Sequence, residues 1–197
     1  MAISAILIFG APGSGKGTVG AKLAATTSVK HLSTGDIFRG IAPSSENGKL
    51  ISSYSSAGKL VPDSATAKIF ERYVTGLVNT NRLNPDQDML LLDGIPRTAD
   101  QVDLIKPIVD VKHVFVLDIE NDETIVKRLL HRAKIEGRKD DADESIIKNR
   151  LDEYRQKTAV VLAKYDSSII THIKGDGTPD EVFSAALAAY VSFMKEA

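Results

Sequence analysis

Gly10, Gly13, Gly15 and Lys16 stand in the pattern Gly-x4-Gly-Lys, the spacing of a loop that cradles phosphate groups. Glycines let such a loop turn tightly and bring backbone N–H groups close to phosphate oxygens. The residues around it supply the required context. An apolar run at 3–9 precedes it, and a segment of helical character follows. A helix that starts there adds unpaired N–H donors and partial positive charge at its N-terminus. Lys16 then reaches the outer phosphates as a point charge. The residue after the lysine departs from the general pattern. A Ser or Thr at that position binds Mg²⁺, but here it is Gly17, with Thr18 one position later. The expectation is a metal ion held mainly by its own phosphates and by water. Asp93, which closes a short apolar run, is the candidate carboxylate near it; a helix-cap or turn role is its alternative.

Arg39, Arg97, Arg128, Arg132, Arg138 and Arg150 fall just after predicted strands, on helices or in polar excursions. Arg128 and Arg132 are four apart and share a helix face. Guanidinium forks match phosphate oxygens bidentately and stack on flat bases. Chemistry that moves a phosphoryl group between two polyanions needs this much positive charge. The four histidines, His31, His113, His131 and His172, read better as structural or exposed than as general bases.

Five short apolar runs alternate with helical patterns and so position these residues. The strands are expected at 3–9, 29–32, 89–92, 111–119 and 168–173. The helices are expected at 16–27, from 34 through Arg39, and at 64–80, 98–109, 123–132, 145–165 and 179–195. That alternation predicts an open, mostly parallel α/β sheet, with ligands at the carboxyl ends of the strands. Residues 41–60 are serine-rich and loose, with short helical pieces and turns expected. Residues 133–144 hold one large apolar side chain, Ile135, and should form a small surface excursion.

Composition excludes several classes. Cysteine is absent, so disulfides and thiolate metal sites are ruled out. A formal net charge of −1 gives no field that draws the chain to nucleic acid or a membrane surface. No run approaches the roughly 18 to 20 apolar residues of a membrane span. The first apolar run lacks a basic segment before it, so no secretory leader is expected. A cytoplasmic protein, monomeric by default, is the expectation.

Taken together, these segments resemble the adenylate kinases with a short lid, nearly end to end. Residues 10–18 look like that family's phosphate loop. Ser33-Thr34-Gly35-Asp36 with Arg39, and Gly58-Lys59-Leu60-Val61-Pro62-Asp63, are similar to the segments that receive AMP. Asp93-Gly94-Ile95-Pro96-Arg97-Thr98 with Gln101 resembles an Asp-Gly-Phe-Pro-Arg run, with Ile95 in place of the aromatic. Arg128, Arg132, Gly137-Arg138-Lys139-Asp140-Asp141, Arg150 and Tyr154 resemble the lid and its flanks.

The resemblance implies a fold, a reaction and roles. The fold is a three-layer, five-stranded parallel sheet of the phosphate-loop nucleoside monophosphate kinase type. It is divided into a core (1–32, 64–130, 145–197), an AMP lobe (33–63) and a lid (131–144). The reaction is MgATP + AMP ⇌ MgADP + ADP. Gly13, Ser14, Gly15, Lys16, Gly17 and Thr18 would hold ATP phosphates. Arg128 would pack on the ATP adenine, with Gly177 beside it. Arg39 and Arg97 would clamp the AMP phosphate. Thr34, Gln101, Lys59, Leu60 and Val61 would face the AMP base and ribose, next to Gly94, Ile95 and Pro96. Arg132, Arg138 and Arg150 would surround the transferring phosphoryl. Asp93 would act on Mg²⁺ through water, and Asp140 and Asp141 would steer the lid arginines. The Arg138–Arg150 interval is one residue longer than in short-lid relatives, so either Arg150 or Asn149 fills the last arginine position. A pyrimidine monophosphate kinase and a non-catalytic nucleotide sensor are the alternatives.

Overall fold

The computed structural model describes residues 2–138 and 141–196. Five strands, β1 (Ile3–Gly10), β2 (Lys30–Ser33), β3 (Leu90–Asp93), β4 (Val109–Asp118) and β5 (Ile170–Lys174), form one parallel sheet in the order β2-β3-β1-β4-β5. Alternation on the central strand explains why both faces are covered. Ile3, Ala5, Leu7 and Phe9 of β1 enter one core cluster, while Ile6 and Ile8 enter another. Leu92 and Leu91 of β3, and Val116 and Phe115 of β4, divide the same way. A strand buried on both sides must be apolar almost throughout, as the sequence pattern predicts.

The first cluster is closed by α2 (Thr34–Arg39), α3 (Glu46–Ser55), α4 (Asp63–Asn79) and α5 (Ala99–Ile105), which supply Ile37, Ile51, Phe70 and Ile105. The second is closed by α1 (Lys16–Thr26) and α8 (Pro179–Glu196), through Val19, Leu23, Val182, Ala186 and Tyr190. A third, smaller cluster joins α6 (Asp122–Glu136) to α7 (Glu144–Glu153) through Ile125, Leu129, Ile147 and Leu151. Among the described residues no helix is long and apolar enough to cross a membrane.

Three helices depart from the expected boundaries by a turn or more. The helix expected at 98–109 ends at Ile105, because Pro107 has no N–H with which to continue the helix; Val109 already belongs to β4. The helix expected at 145–165 is not one regular helix. After α7 the chain widens into a π-helical turn, Tyr154–Thr158, and then tightens into 3-10 geometry, Ala159–Lys164. The change of pitch delivers the Thr158 hydroxyl to the Arg97 carbonyl at 3.0 Å and buries Val161 in the first cluster. The helix expected at 123–132 runs one turn further, to Glu136, and stops at Gly137, whose φ of 65° is the left-handed conformation of a helix C-cap. The serine-rich stretch also contains a full helix, α3, whose first turn is capped by Ser45 Oγ accepting from Gly48 N–H at 3.0 Å.

Candidate active site

Strand register sets the floor of the site. Ile8 of β1 lies beside Asp93 of β3, and Asp93 lies beside Ser33 of β2. The loops that leave these three strands therefore open on one sheet edge. They surround a cleft of about 860 Å³, walled on its far side by residues of α6 and α7.

The glycine loop after β1 has the geometry of an anion cradle. Gly13 and Gly15 have φ of 82° and 95°, which L side chains rarely adopt. A Cβ on Gly13 would also stand 3.1 Å from Leu129 and 3.2 Å from the Ile125 carbonyl of α6. Helix α1 begins directly after Gly15 with no side-chain cap and no acidic residue in its first turn. Its first N–H groups are thus left for a ligand. The ammonium of Lys16 bridges back over the loop, donating to the carbonyls of Gly10 at 2.7 Å and Ala11 at 3.0 Å. Burial lowers its pKa from 10.5 to about 8; Asp93 opposes that shift, while Arg97, Arg150 and Arg132 reinforce it.

Arginines face the loop across the cleft. Arg97 follows a cis Ile95–Pro96 bond, and its Nε donates to the Gly94 carbonyl at 2.8 Å. Arg39 donates to Asp36 at 2.5 Å. Burial pushes the Asp36 carboxyl up, but the bond to Arg39, its charge and that of Arg138 outweigh burial and hold it below its usual range. Arg138 is paired with Glu136 at 2.5 Å. Arg132 and Arg150, from α6 and α7, share one fully buried carboxylate. Asp141 accepts from Arg132 Nε and Nη2 at 2.6 Å and from Arg150 Nη1. Burial lowers the pKa of Arg132, against the pull of Asp141.

The cleft matches known proteins along nearly the whole chain. The family model described as adenylate kinase matches residues 8–170. The adenylate kinase of Flavobacterium psychrophilum is 39% identical over 183 residues, covering 90% of this chain and 93% of that protein. Those of Corynebacterium aurimucosum and Kocuria rhizophila are each 39% identical, over 190 and 193 residues, covering 93% of this chain and 97% of each relative. The chain belongs to the adenylate kinase family.

Most of the residues expected in an adenylate kinase site line this one cleft. Gly13, Gly15, Lys16, Gly17, Thr18, Thr34, Arg39, Lys59, Leu60, Val61, Asp93, Gly94, Ile95, Pro96, Arg97, Gln101, Arg132, Arg138 and Arg150 all do. Three lie elsewhere. Ser14 is buried, and its hydroxyl finds no partner among the described residues. Arg128 and Gly177 are together but off the cleft wall: Arg128 donates to the carbonyls of Gly175 at 2.9 Å and Gly177 at 3.0 Å. Arg150 rather than Asn149 lines the cleft; the Asn149 amide points to the Ala57 carbonyl at 3.4 Å. Asp140, expected to steer the lid arginines with Asp141, lies outside the described residues.

Sequence reasoning missed three contributors. His31 lines the cleft with Nε2 3.9 Å from Asp93; burial lowers its pKa, against the pull of Asp93 and Asp36. Thr158 anchors the carbonyl of Arg97. Asp63 accepts from the Gln101 side chain at 2.8 Å. Pro62-Asp63 closes a segment similar to one that receives AMP, but nothing local signals a partner 38 residues away.

Proposed function

We propose that this chain catalyses reversible, Mg²⁺-dependent transfer of a phosphoryl group from ATP to AMP, giving two ADP. The observation that carries the reading is convergence. Lys16 and the α1 N-terminus occupy one wall of a single cleft, and Arg39, Arg97, Arg132, Arg138 and Arg150 occupy the others. A protein that only bound a nucleotide would not need cations aimed from both sides at the space between. Residues 33–63 act as an AMP lobe and 131–144 as a lid, closing on a core made of the rest.

In this reading the loop amides and Lys16 hold ATP phosphates, and Arg128 with the Gly177 turn receives the ATP base. Arg39 and Arg97 clamp the AMP phosphate, whose second pKa of about 6 leaves it anionic at neutral pH. The nucleophile is thus already charged, and no general base is needed. Rate enhancement comes from alignment and from charge stabilisation by Lys16 and the arginines. Closure of the lobes excludes water, which otherwise hydrolyses ATP.

The donor set suits a metal ion that arrives on the nucleotide. Asp93 brings a mostly buried carboxylate to the cleft wall beside Gly17. Among the described residues no group of three or more His, Cys, Asp or Glu could hold an ion by itself. Asp93 would hold Mg²⁺ through water, and the ion would neutralise charge on the phosphoryl oxygens when bound. A cytoplasmic monomer acting on small-molecule substrates, with no nucleic acid or membrane partner, is the setting this reading implies. The test is ADP formation from MgATP against a panel of nucleoside monophosphates. Preferential use of AMP is expected. No transfer to any of them would sink the reading, and preference for UMP or CMP would select a pyrimidine monophosphate kinase instead.

A further inference from the structure

At one end of the cleft, Gln101 is 1% exposed and its side-chain amide is held from two sides. Its Oε1 accepts from the Arg97 backbone N–H at 2.7 Å, and its Nε2 donates to Asp63 Oδ1 at 2.8 Å. These partners are chemically unambiguous. A backbone N–H can only donate, and a carboxylate can only accept. Turning the amide over would set two donors against each other at Arg97 and two acceptors at Asp63. The orientation is thus fixed by chemistry, and one N–H and one lone pair are left over in fixed positions.

We infer that Asp63 is a positioning residue for base choice: by locking the Gln101 amide it makes the acceptor site select bases that carry an exocyclic amine beside a ring nitrogen acceptor. The deduction rests on the AMP-site reading of this cleft. Adenine presents a ring acceptor next to an amino donor. Hypoxanthine and guanine present the reverse, a ring N–H next to a carbonyl oxygen. A glutamine free to rotate satisfies either order, so it discriminates only when its rotation is blocked. Asp63 supplies half of that block, from the first residue of α4. Thr34 adds to the polarity. Its hydroxyl proton is committed to the Gly94 carbonyl at 2.9 Å, so its oxygen offers lone pairs alone. Both side chains thus present fixed polarity, suited to a base that donates through an amine.

The test compares Asp63→Asn and Asp63→Ala with the unmodified protein, using AMP and IMP as acceptors with MgATP. Asn keeps the shape but can turn over together with glutamine; Ala removes the partner. The ratio of kcat/KM for AMP over IMP is expected to fall about fivefold in Asp63→Asn and more in Asp63→Ala, with KM for ATP unchanged. A purely structural role would lower both acceptors together, and an unchanged ratio in both variants overturns the inference. Side-chain amide NMR of the unliganded protein tests the lock without turnover. Exchange of the Gln101 amide protons should be slow in the unmodified protein and faster in Asp63→Ala; equal exchange rates also overturn it. Failure of the unmodified protein to use AMP would instead remove the AMP-site reading while leaving the NMR result standing.

Discussion

Lys16 carries its charge in a place that disfavours it. Burial and three arginines bring its pKa to about 8, against the pull of Asp93. With a folded-state pKa below the ordinary value, the unfolded chain binds more protons between the two, so this group's contribution to stability rises with pH across about 8 to 10.5. Polyphosphate binding restores the charge and takes up a proton. Nucleotide affinity is therefore expected to be full below pH 8 and to fall about tenfold per unit above it. Calorimetric titrations with a non-reactive ATP analogue, in buffers of different ionisation enthalpy, check both affinity and proton uptake. Arg97 illustrates the opposite demand, for shape rather than charge. Replacing Arg97 by Lys keeps the cation and loses the fork, and kcat/KM should drop about a hundredfold; a near-normal rate would count against its role. The glycines, lysine and arginines of this site were legible in sequence because their chemistry is intrinsic to residue type and spacing. The partners that aim them were not. Asp63, Thr158 and His31 are ordinary residues whose significance comes only from being brought next to Gln101, Arg97 and Asp93.

The pair α6 and α7 shows how elements deliver charge to a site. Their small shared core of Ile125, Leu129, Ile147 and Leu151 fixes the helices, and Asp141 in the turn between them joins the two guanidiniums that project from it. Breaking a buried pair removes a charge partner that both cations share. Asp141→Ala is accordingly expected to lower stability by about 2–3 kcal/mol in chemical denaturation, and to speed amide exchange in both helices while leaving the sheet unaffected. Thr158→Val should cost about 1 kcal/mol, since it strands the Arg97 carbonyl with one partner fewer. Apolar periodicity marked every strand and nearly every helix, because burial on one or two faces writes itself into the pattern. It did not mark the π-helical turn at Tyr154–Thr158 or the full length of α3. The first is imposed by a distant contact. The second depends on a serine cap and one buried isoleucine, Ile51, in a segment whose composition is that of a connector.

At the scale of the molecule, a sheet covered on both faces offers its carboxyl edge to ligands, and the loops that leave β1, β2 and β3 line the cleft there. That outcome was visible from the order of apolar runs alone, since parallel strands alternating with helices place their ligands there. The relation between the two walls was not. The turn at Gly58 approaches α7 so closely that a Cβ there would stand 2.9 Å from the Ile146 carbonyl, and nothing in the local sequence announces that neighbour. One further feature reaches beyond the site. Helix α1 starts with no capping side chain and no acid in its first turn. A good cap elsewhere stabilises a helix by about 1 kcal/mol; in the proposed reading a phosphate takes this place, so the ligand serves as the missing piece of secondary structure. Folding and substrate supply then share one free-energy term. At a nucleotide concentration a hundred times the dissociation constant, the gain is about 2.7 kcal/mol. Thermal midpoints measured across a nucleotide series should climb with the logarithm of concentration. In a cell, the same dependence would make the lifetime of this protein against proteolysis a readout of its own substrates.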